Sequence, residues 1–260
     1  MARHSVNIVA GALITALLLY AGLCAALFVF QRSLIYFPQP RALGTDHLAV
    51  LKTGDADLHL SVRPLPGAGD ALIYFGGNAE DVSLSLPGIA SAFPTHALYL
   101  LHYRGYGGSS GRPSEAALHA DALALFDQVV VDHPRVTVVG RSLGTGPAVR
   151  LATQRPVHRL VLVTPYDSLT ALAQGHYPVV PVRWLLRDRF ESVDIADQVT
   201  APTTLVVAQH DQLTPVAGAR RLYQRFQPGV ARWVLLEGVG HNTIAHSPGY
   251  LPALNGRALQ

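Results

Sequence analysis

The chain is short of cysteine, lysine and charge. One cysteine in 260 residues, Cys24, rules out a disulfide framework and any cysteine-cluster zinc or iron–sulfur site. Lys52 is the only lysine, and no glycine-rich phosphate loop precedes it. That removes P-loop nucleotidases and leaves Schiff-base chemistry resting on a single residue. No His-Glu-x-x-His or comparable ligand spacing occurs, so neither a metal nor another cofactor is expected. The net charge of +3 is small and dispersed, which argues against nucleic acid as a partner. Against this, 49% of the residues are hydrophobic, which excludes intrinsic disorder, and the length suffices for one sizeable α/β domain.

Charge is absent altogether from Ser5 to Gln31. A helix crosses the hydrocarbon core with about 20 residues, and this run exceeds that. A cleaved signal peptide has an apolar region of about 7–15 residues, and no small-x-small cleavage site closes this longer one. Cys24 does not fit a lipoprotein cysteine, because bulky Leu23 precedes it and apolar residues continue beyond it. The expectation is an uncleaved single-pass membrane anchor over residues 1–32, followed by a folded domain over 33–260. Positive charges nearly tie across the anchor, the α-amino group and Arg3 against Arg32 and Arg41. A short basic amino terminus that stays inside places the domain on the periplasmic side of a bacterial inner membrane.

Beyond the anchor, β-type runs alternate with helical ones. Strands are expected at Leu58–Arg63, Ala71–Phe75, Ala97–Leu101, Val136–Val139, Arg159–Val163, Thr203–Ala208 and Trp233–Leu236. Helices are expected from the Ser114 cap to about His133, at Leu143–Gln154 and at Ala217–Phe226. The continuous β-branched run Val136–Val139 reads as a strand buried on both faces. The alternation defines an α/β class with a mostly parallel, doubly wound sheet. Residues 165–197 break it and are expected to form a small cap over the carboxyl edge, where such sheets bind ligands.

The chemistry concentrates at Gly140-Arg141-Ser142-Leu143-Gly144, a Gly-x-Ser-x-Gly pattern between a buried β run and a helical run. A serine on that tight turn is presented at the sheet edge, at the head of a helix whose dipole favours developing negative charge. The bland alternative is a βα turn with a capping serine. A serine hydroxyl needs a base and an orienting acid, in the chain order Ser, Asp or Glu, His. Asp211 and His241 both lie just past strands and supply them. Asp167, His246 and His210 are the rivals, with His210 assigned to local packing. The oxyanion needs backbone donors: Leu143 follows the nucleophile, and the Gly76-Gly77-Asn78 loop offers Asn78, with Gly77 as its competitor.

Together Phe75-Gly76-Gly77-Asn78-Ala79-Glu80-Asp81, Tyr103-Arg104-Gly105-Tyr106-Gly107-Gly108-Ser109, the serine motif, His210-Asp211 and Gly240-His241 resemble the α/β-hydrolases. More narrowly they resemble the Bem46-like branch, membrane-anchored serine hydrolases related to the serine-aminopeptidase and prolyl-oligopeptidase catalytic domains. The likeness covers about residues 33–250. It implies an eight-stranded, mostly parallel sheet, a Ser142–Asp211–His241 triad, and an Arg104–Gly108 loop packed beneath the site. Many relatives carry histidine where Gly76 stands, so the geometry of that loop is in question. The expected activity is cleavage of an ester, thioester or amide in a small or lipid-like acyl substrate. The competing expectation is a catalytically silent binding or scaffold protein on the same fold. The sequence carries no signal for the oligomeric state.

Overall fold

The computed structural model describes residues 2–42, 44 and 47–256, so the last four residues of the domain expected over 33–260 lie outside it. The chain opens with α1 (Ala2–Ile35), continues through β1 (Leu48–Lys52), β2 (Asp57–Arg63) and β3 (Asp70–Phe75), and then α2 (Leu86–Ala92) and β4 (Ala97–Leu101). Next come α3 (Glu115–Asp132), β5 (Arg135–Arg141), α4 (Thr145–Gln154) and β6 (Arg159–Val163). The cap helices α5 (Leu169–His176) and α6 (Val182–Leu185) follow, then β7 (Thr203–Ala208), α7 (Val216–Tyr223), β8 (Ala231–Leu236) and α8 (Tyr250–Asn255).

The described strands form one eight-stranded sheet in the order β1-β2-β4-β3-β5-β6-β7-β8. From β4 to β8 every pairing is parallel, and only β1 and β2 run against their neighbours. The period-2 alternation of side chains divides each central strand between two cores. Ala71, Ile73 and Phe75 join the layer under α3, α4 and α7, whereas Leu72 and Tyr74 join the layer under α2 and α8. Both faces are therefore covered, which is why these strands read as unbroken apolar runs. Fully burying one such side chain is worth about 1.5–3 kcal/mol.

The strand β1 was not expected. It is a short edge strand with only Leu51 buried, and it pairs with β2 through the turn where Thr53 N–H meets the Ala56 carbonyl at 2.9 Å. Its apolar pattern is too brief to register alone. The expected helix at Leu143 begins instead with a 3-10 turn, Ser142–Gly144, before α4 proper, and the one expected at Ala217–Phe226 spans Val216–Tyr223. Ser114 does cap α3, its hydroxyl accepting Ala117 N–H at 3.2 Å.

The helix α1 is long and apolar enough to cross a membrane. It does not end where the anchor was expected to, but runs three residues further and fastens to the cap. Gln31 donates to the Leu185 carbonyl at 3.1 Å and accepts from Arg187 N–H at 2.7 Å. Arg32 grips the buried carboxylate of Asp188 at 2.9 and 3.2 Å, where Tyr36 also donates at 3.1 Å. Further along, the Tyr20 hydroxyl donates to the Val179 carbonyl at 2.7 Å.

Burial lowers the pKa of three histidines of the domain, His96, His102 and His119. His102, bonded through Nε2 to Ser61 at 2.9 Å, is held down at about 4, and His119 also at about 4, because desolvation disfavours their charged forms. A lowered histidine binds fewer protons folded than unfolded between those values and 6.5. Stability is therefore complete above pH 6.5 and lost as the pH falls toward 4, by about 2–3 kcal/mol each for His102 and His119. Thermal melts at pH 7.5 and pH 4.5 should show the loss, and His102→Gln should narrow the gap between them. A gap that stays the same width would remove His102 as a contributor.

Candidate active site

Ser142 sits at φ +50°, a strained conformation for a side-chain-bearing residue, in the turn between β5 and α4. The glycines on either side make that turn possible. A Cβ at Gly140 would overlap the Gly144 carbonyl oxygen, and a Cβ at Gly144 would overlap the Phe75 carbonyl oxygen. The strand end and the helix start consequently pack backbone to backbone, and the hydroxyl is left projecting at the carboxyl edge.

Two further strand ends bring the partners. The loop after β7 carries Asp211 and the loop after β8 carries His241. His241 Nε2 lies 3.0 Å from Ser142 Oγ, and its Nδ1 lies 2.8 Å from Asp211 Oδ2. Asp211 is buried, and its other oxygen accepts the N–H groups of Leu213 and Thr214 at 3.0 and 2.7 Å. These donors fix the direction of the carboxylate. Thr214, which sequence reasoning missed, spans the group: its hydroxyl reaches Asp211 Oδ2 at 2.9 Å, His241 Nδ1 at 3.2 Å and the Thr164 carbonyl at 3.1 Å.

The rivals fall elsewhere. Asp167 is bound to Arg221 at 2.6 Å and to Ser168 N–H at 2.9 Å. His246 lies exposed in the turn after His241, and His210 is exposed as well, not packed as expected. The N–H of Gly77 is occupied, donating to Glu80 at 2.7 Å. Among the described residues no bond engages the Asn78 N–H, and Asn78 and Leu143 line the same cavity as Ser142.

Glu80 is a second residue the sequence did not single out. Its carboxylate accepts from Tyr74 at 2.8 Å, Ser85 at 2.6 Å, Gly77 and Arg141, the last at 3.0 Å. The space that a side chain at position 76 would need is filled by Glu80 and by Val82, whose Cγ1 would lie 2.5 Å from an added Cβ. Glycine at 76 thus accompanies a loop organised around Glu80. The Arg104–Gly108 loop supports it from below: Tyr103 donates to the Gly76 carbonyl at 2.8 Å, and Tyr106 donates to the Asn78 carbonyl at 2.7 Å. Arg104 itself is buried, bridging Asp121 and Asp55 with contacts as short as 2.7 Å.

Ser142 and His241 open into a cavity of about 520 Å³. Its walls are Leu169, Leu172 and Val180 of the cap region on one side, and Leu27, Gln31, Leu34 and Ile35 of α1 on the other. The helix expected to serve as an anchor is therefore also a wall of the site. It is tied there locally, since Asn78 donates to the Ile35 carbonyl at 3.2 Å and Phe37 N–H donates to the Asn78 carbonyl at 3.0 Å.

A nucleophile-elbow serine on an eight-stranded, mostly parallel sheet places the chain among hydrolytic α/β folds, and individual known proteins agree, although no family model matches the chain. An uncharacterized protein of Mycobacterium tuberculosis (strain H37Rv) is 37% identical over 244 residues, covering 86% of this chain and 85% of the relative. Human alpha/beta hydrolase domain-containing protein 17B is 30% identical over 201 residues, covering 74% of this chain and 67% of its own length. Among solved structures, a hydrolase from Pseudomonas aeruginosa superposes with a TM-score of 0.66 at 18% identity, over 82% of this chain and 98% of the other. Mouse alpha/beta hydrolase domain-containing protein 10 superposes with a TM-score of 0.62 at 16% identity, over 80% and 95%. The chain belongs to the α/β-hydrolase family, in its Bem46-like branch.

Proposed function

We propose that the protein is a membrane-tethered serine hydrolase that cleaves the ester, thioester or amide bond of a long-chain acyl substrate. The observation that carries this reading is the continuous Ser142–His241–Asp211 hydrogen-bond chain, with links of 3.0 and 2.8 Å, at the end of an apolar cavity. Asp211 keeps the proton of His241 on Nδ1, which leaves Nε2 free to accept. As Ser142 Oγ attacks the acyl carbonyl carbon, Nε2 takes the hydroxyl proton, and the carbonyl oxygen becomes an oxyanion facing the N–H groups of Leu143 and Asn78. The bond to the leaving group then breaks, and the leaving group departs with the proton from Nε2. Water repeats the sequence on the acyl-serine, releasing the acid and restoring the serine. One backbone donor of this kind is worth about 3–4 kcal/mol in the transition state.

Substrate class follows from the walls. Leucine, isoleucine and valine side chains from both the cap and α1 suit an alkyl chain and offer little to a peptide or a sugar. The tether is read from the uncharged run of α1, with the folded domain on the periplasmic side of an inner membrane. A profile of p-nitrophenyl esters from two to sixteen carbons, run on the full chain in detergent, tests the class. Turnover should rise with chain length, with kcat/KM at least tenfold higher for long chains than for acetate. A strict acetyl preference would refute the long-chain assignment.

A further inference from the structure

On the reading of α1 as a membrane anchor, we propose that the tip of the cap, residues 177–182, is sunk in the bilayer beside α1. The cavity then opens into hydrocarbon and takes acyl chains sideways from the leaflet.

The length of α1 serves as a ruler. Arg3 and Arg32 bound the uncharged run and stand 29 residues apart in α1. At about 1.5 Å per residue that is roughly 44 Å, the thickness of a bilayer with its headgroups. Tyr20, twelve residues inward from Arg32, lies about 18 Å below that headgroup plane on the same scale. Yet Tyr20 is hydrogen-bonded to Val179 of the cap at 2.7 Å. Keeping Val179 in water would draw Tyr20 and the rest of α1 out with it. Only Asn7–Leu19 would remain to span, 13 residues or about 20 Å, against a core of about 30 Å.

The tip carries no charge from Tyr177 to Val182, and its surface is apolar: Val179 is 75% exposed and Tyr177 50%, with Trp184 just beyond it at 85%. Hydrocarbon tolerates non-helical backbone only where its polar groups find partners. Pro178 and Pro181 have no N–H to satisfy. Every carbonyl from Tyr177 to Val182 accepts a bond, from Val180 N–H, Gln174, Tyr20, Val182 N–H, Trp184 N–H and Leu186 N–H in turn. Among the described residues, only the Val179 N–H in this stretch is left without a bond.

Charge returns at the level where headgroups belong. Arg183, Arg187 and Arg189 are exposed, and the Arg187 guanidinium lies 4.1 Å from the ring centre of Phe28, one helical turn from Arg32. Arginine at this depth suits lipid phosphates, and tryptophan suits the interface. Tyr177 both lines the cavity and is half exposed, so the cavity reaches the surface at the sunken tip.

The test uses the full chain reconstituted in phosphatidylcholine–phosphatidylglycerol vesicles, with Val179→Trp placed in a background that carries both Trp184→Phe and Trp233→Phe, so that position 179 holds the one tryptophan. Emission from position 179 should be quenched at least twofold by lipids brominated in mid-chain and should be shielded from aqueous iodide. The Trp233→Phe chain, through Trp184, gives a second reading by bromine placed near the headgroup. Quenching by iodide overturns the proposal. Protection from both quenchers in a cross-linkable dimer also overturns it, by putting a second copy of the chain on the patch. Val179→Glu should lower the ratio of turnover for a long-chain ester dissolved in vesicles to that for a soluble short-chain ester at least tenfold, and an unchanged ratio counts against the proposal. Failure of the unaltered chain to cleave either ester would sink the hydrolase reading instead, and the quenching pattern would still decide where the tip sits.

Discussion

Replacing Ser142 with alanine should abolish labelling by a fluorophosphonate probe and cut ester turnover by roughly 10⁴–10⁶-fold, about 5–8 kcal/mol of transition-state stabilisation. The size follows from the geometry. Nothing else in the described cavity stands 3.0 Å from His241 Nε2, so no second hydroxyl inherits the proton transfer. His241→Ala should cost about as much, and the double variant little more, because nucleophile and base act as one unit. Asp211→Asn should cost about 10⁴-fold, since an amide in that position no longer enforces the Nδ1 proton. Residual turnover above the uncatalysed rate should survive through the Leu143 and Asn78 donors. Full labelling of the Ser142→Ala protein would show that the nucleophile lies elsewhere.

The largest effect on stability is expected at Arg104, far from the cavity floor. Its guanidinium is buried and makes three hydrogen bonds to Asp121, itself 1% exposed, and two more to Asp55 at the surface. Asp121 depends on that partner, because burial pushes its carboxyl above the usual range even with Arg104 beside it. Arg104→Met removes the counter-charge and leaves the carboxyl stranded, which should cost about 3–5 kcal/mol at pH 8. Without the arginine the folded-state pKa of Asp121 rises further above its unfolded value. Between those two values the folded protein holds more protons, so the variant gains stability as the pH falls. Chemical denaturation at pH 8 and pH 5 should therefore show a smaller deficit at pH 5. The opposite trend, or a deficit below about 1 kcal/mol at pH 8, would mean that Asp55 and solvent suffice without the pair. Loosening should also spread to the site, since the same loop carries Tyr103 and Tyr106, which brace Gly76 and Asn78.

Local pattern was informative wherever local physics was in control. Strands β4, β6 and β7 are legible to the residue because they lie inside the sheet, apolar on both faces, and begin directly after a histidine or proline, His96, His158 and Pro202. The serine turn is legible because sterics allow only glycine at 140 and 144. Asp211 and His241 are legible as polar residues at strand ends, and a parallel sheet puts all its strand ends on one edge. The strand β1 is not legible because an edge strand shows little burial, and α7 differs from its expected bounds by one residue at its start and three at its end because helix termini fray into turns.

The amino-acid sequence by itself determined a doubly wound sheet, a strained serine at its rim and a long uncharged helix ahead of it. Each is written in a periodicity or a steric exclusion within a few neighbouring residues. Only the tertiary structure decided that this helix would be a wall of the cavity, that Thr214 would hold the histidine and aspartate together, and that Glu80 would occupy the space beside Gly76. The hydrogen bonds of α1 to the cap join residues more than 150 positions apart, Gln31 to Leu185 and Arg32 to Asp188 among them. Such pairs depend on how whole elements are laid against one another, and no short-range pattern in the chain records that.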